Sequence, residues 1–203
     1  MNTLVLATGN PHKVVELELM LQAHGFDIKL QTEFFNDEVE EDGFSFVENA
    51  LKKARYASKR TGLPALADDS GIEVHHLDGR PGIYSARYSE GYQGKPASET
   101  LSNQKLLEEL DGLPFKHRRA CYACAMVYVH HELDPKPIIG VGEWCGEILM
   151  EPRTDYGVGY DPIMWIPDHF KTASQIPIEI KNKVSHRAQA LQSVLQQLEK
   201  AGL

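Results

Sequence analysis

Asp68 and Asp69 stand side by side after the apolar residues 64–67, with Ser70 and Gly71 behind them. A carboxylate at the end of a buried strand can hold Mg2+ directly or through water, and can take the proton of an attacking water molecule. Neighbours in a strand point to opposite faces, so two adjacent carboxylates are not both buried cheaply. The spacing therefore predicts a short strand that stops here, with Gly71 turning the chain and at least one Asp facing a cleft. Asp, Ser and Gly also make ordinary turns, and that plainer reading fits the same four residues. Upstream, Glu38, Glu40, Glu41 and Asp42 form an acidic run. It suits a solvated helix N-terminus, or it puts Glu40 or Glu41 on a metal shared with the Asp pair; spacing alone leaves both open.

Three further segments can meet a ligand. Thr8-Gly9-Asn10-Pro11-His12-Lys13 follows an apolar run and opens a helical one. Such a turn attracts anions through free N–H groups and the helix dipole, and Lys13 can bring a positive charge to a phosphate. It lacks the G-x-x-x-x-G-K-S/T of a Walker loop, and a capped helix with Lys13 in solvent fits it too. Gly157-Val158-Gly159-Tyr160-Asp161-Pro162 permits close backbone approach and supplies one flat ring. That suits a planar ligand, as well as a Gly-rich bend with a core Tyr. Lys181 and Lys183 precede Ser185-His186-Arg187 at the start of the last helical stretch. Cations near a positive helix end need an anion, an acceptor or water to meet them. Two other motifs read as structural. Cys121-Tyr122-Ala123-Cys124 lies in an alternating strand, where i and i+3 face opposite sides. His75-His76 and His130-His131 lack zinc-type spacing to further ligands.

The elements that must carry these residues alternate. Residues 3–7 read as a buried strand and 13–21 as a helix, with Asn10 as N-cap and Pro11 in the first turn. Ser45 and Glu48 have capping-box spacing ahead of a helix over 45–60, which Gly62 and Pro64 stop. After a loop over 79–94 comes a helix carrying Leu101, Leu106, Leu107 and Leu110. Residues 119–130 and 138–149 are β-rich and separated by a turn-prone stretch, as in an antiparallel ribbon. A last helix starts near Ser185. The pattern predicts an α/β fold, or α+β, with a long mixed sheet and flanking helices. No linker or repeat breaks 1–203, so a single domain is expected.

The chain's charge bounds its partners. A net charge of −8 argues against gripping a nucleic-acid backbone, yet a few local cations can still hold a small anion. No apolar stretch is long enough to span a bilayer, so no membrane association is expected. Three cysteines cannot all pair within one chain, and the N-terminus shows no secretory pattern; a reducing, cytoplasmic setting is expected.

Taken in order, T-G-N-x-x-K at 8–13, A-D-D-S-G-I at 67–72, P-G-I-Y-S-A-R-Y-S at 81–89, G-Y-D-P at 159–162 and S-H-R at 185–187 resemble the inosine triphosphate pyrophosphatase family, the RdgB/Ham1-like dITP/XTP pyrophosphatases. The resemblance covers essentially the whole chain. It implies hydrolysis of ITP, dITP and XTP to the monophosphate plus pyrophosphate, with Mg2+. It further implies an elongated α/β fold with two lobes around a central cleft, and a homodimer. By the same resemblance Thr8 to Lys13 bind the triphosphate. Asp69 is the catalytic carboxylate and metal ligand, with Asp68 beside it, and Ser70 touches substrate. Glu40 or Glu41 is the other metal ligand. Val158, Gly159, Tyr160 and Asp161 form the base pocket, and Lys181, His186 and Arg187 complete the substrate contacts. The family usually carries Phe where Val158 stands; an aliphatic side chain gives apolar contact without stacking, a difference of about 1 kcal/mol or more.

Overall fold

A computed structural model describes residues 2–202. It holds a seven-stranded sheet of order β2-β1-β3-β4-β5-β6-β7. β1 (Asn2–Leu6) pairs in parallel with β2 (Phe26–Leu30) and β3 (Ala65–Val74). β4 (Arg119–Val129) and β5 (Ile138–Ile148) follow, and β5, β6 (Met164–Ile166) and β7 (Lys171–Thr172) are antiparallel. The sheet is mixed, as the strand pattern predicts.

Helix boundaries follow local chemistry. α1 (Pro11–Gln22) has Asn10 as N-cap, its side chain accepting from the N–H groups of His12 and Lys13. α2 (Phe46–Thr61) begins at the Ser45/Glu48 capping box and ends at Gly62, whose φ of 69° favours glycine. α3 (Glu99–Glu109) is capped by Ser98, α4 (Ile178–Val184) is a short helix, and α5 (His186–Ala201) is capped by Ser185. α4 has no clear sequence signal, because seven residues barely show a helical period.

The chain divides into two compact units, each made of separate segments. One comprises Met1–Asp69, Cys124–Gly142 and Asn182–Leu203; the other comprises Ser70–Ala123 and Glu143–Lys181. In the first unit, strand alternation sorts the core. Leu4, Leu6, Leu66 and Met126 pack with Leu17 and Leu21 of α1 and Leu191 and Val194 of α5. Val5, Ala7, Ala65, Ala67 and Val127 pack with Ala50, Ala54 and Ala57 of α2. Even-numbered residues of β1 and β3 thus face α1 and α5, and odd-numbered ones face α2. In the second unit, Arg118 is fully buried and donates to the carbonyls of Leu110, Ile148 and Leu149.

Two expectations need correction. The strand expected to stop at Asp68 continues to Val74, so Gly71 lies within β3 and makes no turn. Both carboxylates are buried, and partners on the two faces make that possible. Of the three cysteines, which cannot all pair, Cys121 of β4 is bonded to Cys145 of β5, and Cys124 stays free and buried. Cys121 and Cys124 are not partners, in keeping with their opposite strand faces.

Candidate active site

Alternation along β3 decides where each carboxylate goes. Asp68 continues the even-numbered face and Asp69 the odd-numbered one. Asp68 is 1% exposed and meets cations from α1 and α5: Lys13 Nζ lies 2.8 Å and Arg187 Nε 3.4 Å from its Oδ2. Burial alone would raise its pKa, but Lys13, Arg187 and Lys53 outweigh it and hold Asp68 well below the usual carboxylate range. Arg187 is further tied to Glu16 of α1. Its guanidinium, although desolvated, is held charged by Asp68 and Glu16.

Asp69, 6% exposed, faces α2. Asn49 Nδ2 donates to its Oδ2 at 3.1 Å, and Lys53 Nζ lies 3.3 Å from its Oδ1. The same ammonium is 3.0 Å from Glu41 Oε1. Burial raises the Asp69 pKa, and the nearby Glu41 carboxylate adds to the rise against the opposing charge of Lys53. Asn49 and Lys53 are one helical turn apart, so they reach the same strand residue. Their role was missed in the sequence, where α2 shows an alanine stripe and the buried Asn49 looks like an ordinary polar residue.

Other expected residues of this unit lie at the starts of α1 and α5 and ahead of α2. Lys13 is not in solvent; it is the partner of Asp68. Asn10 takes the His12 and Lys13 amides, and Thr8 Oγ1 accepts from the Asn10 amide, so the turn is both a helix cap and the mount of a cation. Gly9 permits a close approach, since a Cβ there would stand 2.8 Å from Glu38 Oε1. Pro11 opens α1, and the His12 side chain is exposed. Of the two glutamates left open, Glu41 comes to Asp69, whereas Glu40 is exposed. His186 is buried at the first position of α5. Arg187 at that helix start finds its acceptors in Asp68 and Glu16, carboxylates of the chain itself.

In the other unit, Asp161 accepts from Tyr122 Oη at 2.9 Å and from Lys181 Nζ at 2.7 Å. Tyr160 Oη donates to the Ser85 carbonyl at 2.8 Å, and Asn103 Nδ2 to the Gly159 carbonyl at 3.0 Å. Gly159 has a φ of 59°, a left-handed turn that glycine adopts without strain. Val158 and Ser70 are half-buried. An open cleft of about 1290 Å3 within this unit touches Gly157, Gly159, Asn103 and Arg153.

The donor chemistry at Asp69 fits a hard divalent cation. Glu41 and Asp69 converge on one positive charge, supplied by Lys53. One or two carboxylates, completed by substrate phosphates and water, are what Mg2+ ordinarily takes from a protein. Asp68, by contrast, is already matched by Lys13 and Arg187.

Comparison with known proteins places the chain in a family. The model of the Ham1 family matches residues 4–197. A dITP/XTP pyrophosphatase of Escherichia coli O157:H7 is 49% identical over 98% of both chains. One from Photobacterium profundum is 44% identical over 99% of this chain and 100% of its own. Among solved structures, a HAM1 protein from Coxiella burnetii superposes with a TM-score of 0.88 at 42% identity, covering 98% of this chain and 100% of that one.

Proposed function

The chain belongs to the Ham1 family, and from that premise we propose that it hydrolyses non-standard purine nucleoside triphosphates (ITP, dITP and XTP) to the monophosphate and pyrophosphate. The observation that carries the reading is the pair of adjacent aspartates in contrasting surroundings, Asp69 beside Glu41 and Lys53 and Asp68 between Lys13 and Arg187.

In this reading water attacks the α-phosphorus and pyrophosphate leaves. Asp69 is the proton acceptor: its raised pKa makes it a better base than an exposed carboxylate, at an oxygen already oriented by Asn49. Lys13 sits at the helix start beside the Thr8–Gly9 turn, where a phosphate gains both its charge and the helix dipole. Asp68 holds Lys13 and Arg187 in place. Mg2+, held by Asp69 and Glu41, would supply charge neutralisation of the phosphate oxygens. Tyr160, with Val158 and Gly159, takes the base; Asp161 fixes Lys181, and Lys181, His186 and Ser70 contact the substrate. A base carrying a 6-keto oxygen is selected by donors that a 6-amino group leaves unmatched. The whole chain, 1–203, acts as one enzyme domain, as a homodimer in the cytoplasm, with no nucleic-acid or membrane partner. No helix among the described residues is long and apolar enough to cross a membrane.

The test is pyrophosphate release from ITP, XTP, dUTP, ATP and GTP, each with and without Mg2+. Preference for ITP and XTP in the presence of the ion is expected. Preference for dUTP or ATP overturns the substrate assignment, with Val158 as the first residue to examine.

A further inference from the structure

The unit formed by Ser70–Ala123 and Glu143–Lys181 carries a second group of ligand-type side chains, which nucleotide hydrolysis does not use. The Sγ atoms of Cys121 and Cys145 and a carboxylate oxygen of Glu143 all lie within 4.8 Å of one another. His75 Nε2 is 4.0 Å from Cys121 Sγ. Among the described residues, no other set of three His, Cys, Asp or Glu groups brings its ligand atoms this close.

Strand geometry explains the convergence. Glu143 and Cys145 are two apart on β5 and share a face. Cys121 lies across from them on the neighbouring β4, and His75 arrives from the turn that ends β3, on the other side of β4. Glu73 on β3 is near enough for its charge to couple to both Glu143 and His75. Cys121 is buried, Cys145 half-buried, and Glu143 and His75 exposed, so the group has an inner wall of sulfur and an outer edge open to solvent. Sequence spacing hides this: His75 and Cys121 are far apart along the chain, and the C-x-x-C spacing points to Cys124, which lies on the opposite strand face.

We propose that, when the Cys121–Cys145 disulfide is reduced, Cys121, Cys145, His75 and Glu143 bind one thiophilic divalent cation of the zinc class, and that the disulfide is the state that excludes it. Two thiolates, an imidazole and a carboxylate are a zinc-type donor set. At Zn–S of about 2.3 Å and Zn–N of about 2.0 Å, tetrahedral ligand atoms stand roughly 3.3–3.8 Å apart, so the exposed His75 and Glu143 need a small closure, while the two sulfurs must part from bonding distance once reduced. Opening the site requires a dithiol reductant. It gives two electrons and two protons to the S–S bond, producing Cys121 and Cys145 thiols, and leaves as its own cyclic disulfide. Binding of the cation then releases the two thiol protons to solvent. A hard cation such as Mg2+ prefers the oxygen donors at Asp69 and Glu41, so the two metal preferences are distinct.

The experiment uses the full chain, reduced with a dithiol, freed of it without air, and titrated with Co2+ as a spectroscopic probe and then with Zn2+. One equivalent of Co2+ is expected to give a thiolate-to-cobalt charge-transfer band that Zn2+ abolishes, while the oxidised chain gives none. Cys121→Ser and Cys145→Ser should each weaken the band, and the double variant, which retains only Cys124, should lose it. The exposed Glu143→Gln and His75→Ala keep the fold whatever the cysteine variants do, and each should weaken Co2+ binding about tenfold or more. The proposal is overturned by a reduced chain that shows no band. It is equally overturned by a band that survives in the Cys121→Ser/Cys145→Ser double variant, which assigns the sulfur to Cys124, or by affinity unchanged in both Glu143→Gln and His75→Ala.

Discussion

At Asp68 and Asp69 a single peptide unit separates two carboxylates whose ionisation is biased in opposite directions, and the two should answer the same substitution differently. Asp69 is raised by burial and by Glu41, so the native state is better off with it neutral. Asp69→Asn should therefore raise the thermal midpoint while lowering pyrophosphate release by about 10²-fold or more, read by calorimetry and a pyrophosphate assay. Wild-type turnover in that variant would falsify its role as base. Asp68→Asn leaves Lys13 and Arg187 without their shared buried anion, and should cost about 3–5 kcal/mol in denaturant unfolding. The pH dependence carries the same signs. The folded pKa of Asp68 is depressed, so its stabilisation is complete above the unfolded value of about 3.9 and is lost only as pH falls through the lower folded value. Asp69 has the opposite sign: stability rises as pH falls through its elevated folded value, while activity, which needs the ionised base, falls over the same interval. Loss of activity on acidification should thus precede loss of fold, measurable by parallel rate and circular-dichroism profiles. The Asp pair is legible in the sequence as a candidate site. Its electrostatic asymmetry is not, because Glu16, Glu41, Asn49, Lys53 and Arg187 come from segments that only tertiary structure brings to β3.

The elements that mount these residues were legible wherever a local signal sets them. Asn10, Ser45 and Ser185 cap α1, α2 and α5 as their types predict, and Gly62 ends α2. β3 misleads because Asp-Asp-Ser-Gly has turn composition, and only partners on both faces let it continue as strand. β6 and β7, three and two residues long, are too short to show alternation. β5 holds a further placement device. A Cβ at Gly142 would stand 2.2 Å from the His186 carbonyl oxygen, and one at Gly140 would stand 2.2 Å from that of Ala190. Both glycines share a face, so the backbone of α5 rests directly on β5, with Arg187 at its start. Gly142→Ala should push the beginning of α5 away, cost about 1–3 kcal/mol or more, and lower turnover by shifting Arg187 off Asp68. Val141→Ala, at an exposed neighbouring position, should stay within about 0.5 kcal/mol of the parent. Equal denaturant midpoints for the two variants would contradict this account of the β5–α5 contact.

At the scale of the whole molecule the question is how a chain of net charge −8 attracts a polyanion. The cations at the proposed phosphate site are not surplus charge. Lys13, Lys53 and Arg187 are matched by Asp68, Asp69, Glu41 and Glu16, three positive groups against four negative ones. The site is slightly negative on a negative background, unlike a surface built to hold phosphate by basic residues alone. A divalent cation at Glu41 and Asp69 reverses the local sign, so it should be needed for binding and not for turnover alone. Titration calorimetry with ITP in a chelator should accordingly show little affinity at low ionic strength. Added monovalent salt should weaken that binding less than it weakens binding to an ordinary basic phosphate site, because here screening relieves repulsion. Restoring Mg2+ should restore affinity, and Glu41→Gln should raise the concentration of Mg2+ required. ITP binding as tight in chelator as in Mg2+ would mean that the protein's own cations suffice, and Lys13, Lys53 and Arg187 would then have to leave their carboxylates when the nucleotide arrives.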